Sequence, residues 1–200
     1  MKNYGIQDKT TNLLRNLLII IVLLVCLTCR PVFAGSFYTV STDDIQYRFA
    51  QIYVMLAETY SSQENFQKAN YLLQKTIQFD KENVNAHFYL GLIYETLKDL
   101  KSAETEYKNV LNFEPDNRLV NYYLGLVLDK QNKTDEALQY LDKALKLMPY
   151  DAFVYYDIGV IYARINDYEK SVYYFAKAAE LKPDFHEAYN NLCYGQANLG

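Results

Sequence analysis

The 200-residue chain has no tryptophan, two histidines, three cysteines, four prolines and seven glycines, and each shortage closes off a class of protein. So few glycines and prolines argue against a loop-rich or disordered chain. His87 and His186 stand without Cys or Asp at metal-ligand spacing, so both read as packing or surface residues, and no metal is expected. There is no Gly-rich phosphate loop, nucleophile elbow or zinc-binding helix motif. Catalysis therefore has no candidate residues, and no cofactor is expected. Carboxylate runs such as Asp43-Asp44 suit the start of a helix better than an acid–base pair.

Basic residues are scarce where a nucleic-acid binder would need them. Residues 1–34 hold Lys2, Lys9, Arg15 and Arg30 against Asp8, a balance of +3, which leaves −7 for the rest of a chain whose total is −4. An acidic body gives phosphates nothing to meet, so nucleic acid is not an expected partner. Half of the residues are hydrophobic, enough for a real core. Tyrosine is frequent at 21, and a ring that can be buried while its hydroxyl stays wet suits packed interfaces and binding faces alike.

The first segment reads as an address. Leu17 to Leu27 is an unbroken apolar run, with Lys2, Lys9 and Arg15 before it and Pro31, Val32-Phe33-Ala34 and Gly35-Ser36 after it. A basic start, an apolar stretch of roughly 7–15 residues and small residues at the cut describe a secretory signal peptide, here cleaved after Ala34. A spanning helix needs about 20 apolar residues. A retained N-terminal anchor is the alternative, and only then would the chain contact a membrane. A lipid anchor needs a small residue before the acylated cysteine, and Cys26 follows Val25 while Cys29 follows Thr28. After cleavage only Cys193 remains, so no internal disulfide can form.

Internal repetition governs the remainder. Ala57, Gly91, Gly125, Gly159 and Cys193 are each 34 residues from the next, as are Leu56, Leu90, Leu124, Ile158 and Leu192. The same step links Ala69, Ala103, Ala137 and Ser171, then Pro115, Pro149 and Pro183, with Lys81 in the first slot. On this row Cys193 is expected to be a small buried core residue. Each unit reads as two amphipathic helices: His87, Leu90, Gly91 and Tyr94 share one face, a polar turn follows at Lys98-Asp99, and Ala103, Tyr107, Val110 and Leu111 line the second helix. Pro115 ends it. Gly91 and Ala103 would let two helices approach where larger side chains would hold them apart.

These residues resemble the tetratricopeptide repeat family: Leu124-Gly125, Ala137, Ala144 and Pro149 in the third unit, and Tyr155, Ile158-Gly159, Tyr162, Ser171, Phe175, Ala178 and Pro183 in the fourth. Tyr, His or Asn stands in place of the family's usual Trp, and Lys81 in place of one Pro. The resemblance implies an all-α solenoid of stacked antiparallel helix pairs forming a right-handed superhelix. It divides the chain into a signal segment 1–34, a lead-in 35–49, four units 50–83, 84–117, 118–151 and 152–185, and a last helix 186–200. The array would start near Thr42, a suitable N-cap followed by Asp43 and Asp44. Two readings of the last helix stay open, a cap and a truncated fifth unit.

In this family the first helices line a concave groove that takes extended peptides or partner helices. The stripe beside the core stripe would face it. From the second unit it comprises Asn85, Phe88, Leu92 and Glu95, then Leu119, Tyr122, Leu126 and Asp129, then Phe153, Tyr156, Val160 and Ala163. Phe88, Tyr122 and Tyr156 would form one ladder and Leu92, Leu126 and Val160 another, with Lys130 and Arg164 as a basic edge. The family's Lys/Asn/Arg clamp for a C-terminal carboxylate finds Phe88, Leu92, Tyr122 and Leu126 at its positions, so apolar side chains would hold the ligand. The expected function is a non-catalytic protein–protein interaction scaffold, exported to the periplasm or beyond and serving assembly of an envelope complex. The alternatives are a membrane-anchored scaffold and the substrate-recruiting region of a larger enzyme. The expected partner is a protein or peptide.

Overall fold

The 34-residue step reappears in the geometry as a succession of helix pairs. The computed structural model describes residues 42–199, with side chains from Arg48 onward. The helices are α1 Thr42–Ser62, α2 Phe66–Phe79, α3 Val84–Thr96, α4 Leu100–Phe113, α5 Arg118–Lys130, α6 Thr134–Leu147, α7 Ala152–Arg164, α8 Tyr168–Leu181 and α9 His186–Leu199. The signal segment, most of the lead-in and Gly200 lie outside the described residues, as do the side chains of Thr42, Asp43 and Asp44. Among the described residues no helix is long and apolar enough to cross a membrane. No group of His, Cys, Asp and Glu among them could hold a metal ion.

Each first helix packs against the second helix that follows it, and each second helix against the next first helix. The helix starts are fixed by side chains that accept from orphan N–H groups. Asn83, Asn117 and Asp151 cap α3, α5 and α7, and Asn65, Asp99 and Asp167 cap α2, α4 and α8. Each such cap is worth about 1 kcal/mol.

The turns inside the pairs repeat just as strictly. Glu64, Lys98, Asn132 and Asn166 all have φ between 58° and 62°. In the second unit Lys98 N–H reaches Glu95 O at 2.9 Å and Asp99 N–H reaches Tyr94 O at 2.8 Å. That pair of bonds is the Schellman closure of a helix end, which usually recruits glycine. Here side-chain-bearing residues accept the left-handed conformation four times.

Leu73, Tyr107, Leu141 and Phe175 are also 34 residues apart, and all are fully buried. They fill the space above the small row. A Cβ on Gly91 would lie 2.4 Å from Tyr107 Cε1, and one on Gly125 would lie 2.6 Å from Leu141 Cγ. The gap is thus occupied by a side chain of the second helix. A backbone atom shares it at Gly125, where Ala137 O would stand 3.2 Å away.

Cys193 corrects the expectation from sequence, because it is exposed rather than buried. In the preceding units a large side chain of the paired second helix covers this position. Among the described residues no second helix pairs with α9. The buried small residues of α9 are instead Ala188 and Gly195, the latter against Val172 of α8.

In the second, third and fourth units the replacements for the family's usual Trp share one property. Each supplies a hydrogen-bond donor to the carbonyl six residues earlier, in the turn between units. His87 Nε2 lies 3.0 Å from Lys81 O, Asn121 Nδ2 donates to Pro115 O at 3.1 Å, and Tyr155 OH donates to Pro149 O at 3.4 Å. The other ring nitrogen of His87 lies 2.6 Å from Glu106 Oε2. A donor at this place keeps a turn carbonyl from being left unpaired.

Candidate functional site

The first helices α3, α5, α7 and α9 form one wall, tied together by bonds that span 35 residues. Lys130 Nζ donates to Glu95 Oε1 at 2.6 Å, and Arg164 donates to Asp129 Oδ1. Tyr122 OH donates to Asp157 Oδ2 at 2.6 Å, and Asn191 Nδ2 donates to Tyr156 OH at 3.1 Å. Glu95 also accepts from Tyr107 OH at 3.1 Å, which satisfies the buried tyrosine hydroxyl. Burial, then the bond to Asp157, pushes the Tyr122 phenol well above its ordinary range. Asp157 is raised as well, by burial first, against the opposing pull of Tyr122.

These bonds settle the electrostatics of the wall. Lys130 and Arg164 do not form a free basic edge, because each is held by a carboxylate of the preceding unit. The sequence contains the signal, since an acid stands 35 residues before each cation. A search at the repeat length of 34 aligns the wrong rows.

Phe88, Leu92, Tyr122 and Leu126 are half-buried against the central core, and Tyr156 packs on Phe175 and Phe185 with ring centroids 5.6 and 4.8 Å away. The Phe88 ring lies 5.8 Å from Tyr123 and 6.2 Å from Tyr107. Among the described ring contacts, Phe88, Tyr122 and Tyr156 do not touch one another. Each is instead an inner buttress of the wall. On α3, α5 and α7 the wall leaves open Leu119, Phe153 and Val160, which are 46, 49 and 37 % exposed.

Leu119 and Phe153 open into a cleft of about 690 Å³ between the starts of α5 and α7 and the end of α8. Met148, Tyr150 and Leu181 extend its apolar lining, and Arg118 and Lys182 stand in it as well. Covering the exposed half of a phenylalanine is worth about 2 kcal/mol at ~25 cal/mol per Å².

Paired helices in strict register, with successive first helices tied by bonds that span 35 residues, define an α-helical repeat scaffold. A family model described as the tetratricopeptide repeat protein 21 C-terminal ARM domain matches residues 37–158, and the tetratricopeptide repeat model matches residues 152–185. The chain belongs to the tetratricopeptide repeat proteins, a family of protein–protein interaction scaffolds. A crystal structure of MamA superimposes with a TM-score of 0.73 at 21 % identity, covering 77 % of this chain and 84 % of that one. MamA from Desulfovibrio magneticus RS-1 gives 0.70 at 23 % identity, over 74 % and 84 % of the two chains. YrrB, described as a TPR protein with an unusual peptide-binding site, gives 0.65 at 25 % identity, over 72 % and 75 %. Comparison with curated proteins finds no match.

Proposed function

We propose that this chain is an exported scaffold that holds an extended peptide or a partner helix against its first-helix wall, in the assembly of an envelope complex. One observation carries the peptide-holding part. Leu119, Phe153 and Val160 stay open on a wall where Lys130 and Arg164 are already held by carboxylates. An exposed apolar row with aromatic and aliphatic side chains at its middle has the make-up of an interface centre. Phe88, Leu92, Tyr122, Leu126 and Tyr156 would stiffen that row from behind, and the Lys130 and Arg164 pairs would border it. The peptide-binding site in YrrB's description is further support for this reading. Export rests on the basic, apolar and small residues in succession over residues 1–34.

The test is affinity capture with the tagged full chain and with a Leu119→Ser/Phe153→Ser/Val160→Ser variant, with retained proteins identified by mass spectrometry. A partner retained by the parent and lost by the triple variant supports the proposal. Equal retention would remove the wall as the binding surface. The N-terminal sequence of the protein recovered from an envelope fraction should begin at Gly35. A chain still carrying Met1 points to the anchored scaffold.

A further inference from the structure

The cleft beside Leu119 and Phe153 differs from the rest of the wall in its charge. Elsewhere the wall's cations meet carboxylates, as Lys130 meets Glu95 and Arg164 meets Asp129. Arg118 and Lys182 both line the cleft, and neither makes an ion pair there. Lys182 Nζ instead lies 4.5 Å from the centroid of the Phe153 ring and 5.1 Å from that of Phe185. A ring face holds an ammonium in place while leaving its remaining donors for a ligand. Asp151 is the one carboxylate in the lining, and it caps α7 by accepting from Phe153 N–H at 2.9 Å.

The result is an apolar hollow with two available cations on a body that otherwise carries net negative charge. Its size falls within the roughly 300–1,000 Å³ of ordinary ligand pockets. An acidic segment approaching the rest of the body is repelled, and at this cleft it is attracted. Such contrast sets register and partner choice more than it sets raw affinity.

We propose that the cleft takes an extended peptide segment of another protein in which Asp or Glu side chains stand next to apolar ones. The carboxylates meet Arg118 and Lys182, and the apolar side chains lie on Leu119, Phe153 and Leu181. This rests on the reading that the array holds a peptide, and it adds the chemical class of that peptide.

The experiment selects a random decapeptide display library on the immobilised full chain. One enriched sequence is then synthesised beside a counterpart with its Asp and Glu replaced by Asn and Gln. Enriched sequences should place acids beside Leu, Ile or Phe. The amide counterpart should bind about tenfold more weakly, the worth of one charged hydrogen bond. An Arg118→Gln/Lys182→Gln variant should bind both peptides equally, and added salt should weaken only the acidic one. Both side chains lack ion pairs in the fold, so the double variant is expected to keep its helix content. Leu119→Ser, on an exposed residue, gives an independent loss of binding. Enriched peptides without acidic bias, or acidic peptides that the double variant holds as tightly, overturn the inference. If those neutral peptides are lost on Val160→Ser, the peptide-holding reading survives alone. A library that yields no binder overturns both. Self-association of the full chain that Arg118→Gln abolishes assigns the cleft to a second copy and also overturns it.

Discussion

The two layers of helices differ in how many faces they hide. The second helices α4, α6 and α8 are apolar on one side and charged on the other: in α4, Ala103, Tyr107 and Val110 are buried while Lys101 and Thr105 face outward. The first helices hide two sides. In α5, Leu124, Val127 and Leu128 are buried in the core, and Tyr122 and Leu126 are half-buried on the adjoining side. A helix needs only one apolar stripe to stay on a core. The first helices need a second stripe because each packs on the preceding unit as well as on its own partner, and what stays open on α5 and α7 is Leu119, Phe153 and Val160.

Substitutions on the two layers should therefore fail differently. The largest stability effect is expected where they interlock. Gly91→Ala places a methyl against the Tyr107 ring, and should lower the unfolding free energy in urea by about 3 kcal/mol. Gly195→Ala meets only the tip of Val172 and should cost about 1 kcal/mol. A Gly91→Ala protein as stable as the parent would mean that the layers do not interlock through this row.

The next effect concerns the polar staple between units. His87→Ala leaves Lys81 O and Glu106 without their partner, and should cost about 2 kcal/mol. Burial draws the His87 imidazole down, but the Glu106 bond, the Lys81 carbonyl and nearby Asp80 together raise it above 6.5. The folded state thus favours the protonated ring. Its contribution is full below the unfolded value, about 6.5, and is lost as pH rises through the higher folded value. The melting temperature of the parent minus that of His87→Asn should therefore shrink between pH 6 and pH 9. A constant difference would place the proton elsewhere.

A gain of about 1 kcal/mol is expected from Lys98→Gly, which relieves a left-handed residue in a turn already closed by its own bonds. Thermal melts check it, and an unchanged midpoint would show that the turn carries no strain. The open row should show its main effect in binding rather than in folding. Leu119→Ser with Phe153→Ser should cost about 1–2 kcal/mol per residue for the half of each side chain that is buried, and should keep the helix content while losing peptide binding. Binding lost together with the fold would put these residues in the stabilising layer.

The layers also differ in how far the sequence discloses them. The 34-residue rows place Gly91, Tyr107 and the proline-ended second helices, because packing repeats at the chain period. The turns at Glu64 and Lys98 are not readable in that way, since neither residue advertises a positive φ. Cys193 occupies a core row, yet what buries that row is the paired second helix, so position alone does not decide its exposure. Phe88, Tyr122 and Tyr156 are legible as one repeat position on the first helices, but their contacts depend on side chains of other elements. Arg118 and Lys182 belong to no apolar row, and their shared cleft joins residues far apart in the chain.

The 35-residue bonds carry one consequence for how such a molecule could lengthen. The α3–α5 and α5–α7 joints each set a carboxylate, Glu95 or Asp129, before a cation, Lys130 or Arg164. A tandem duplicate of residues 118–151 would bring its own Asp129 and Lys130, and both seams would find an opposite charge waiting. Growth by whole-unit copying is thus electrostatically neutral at each splice, whereas an insertion of any other length would set every later charge out of step.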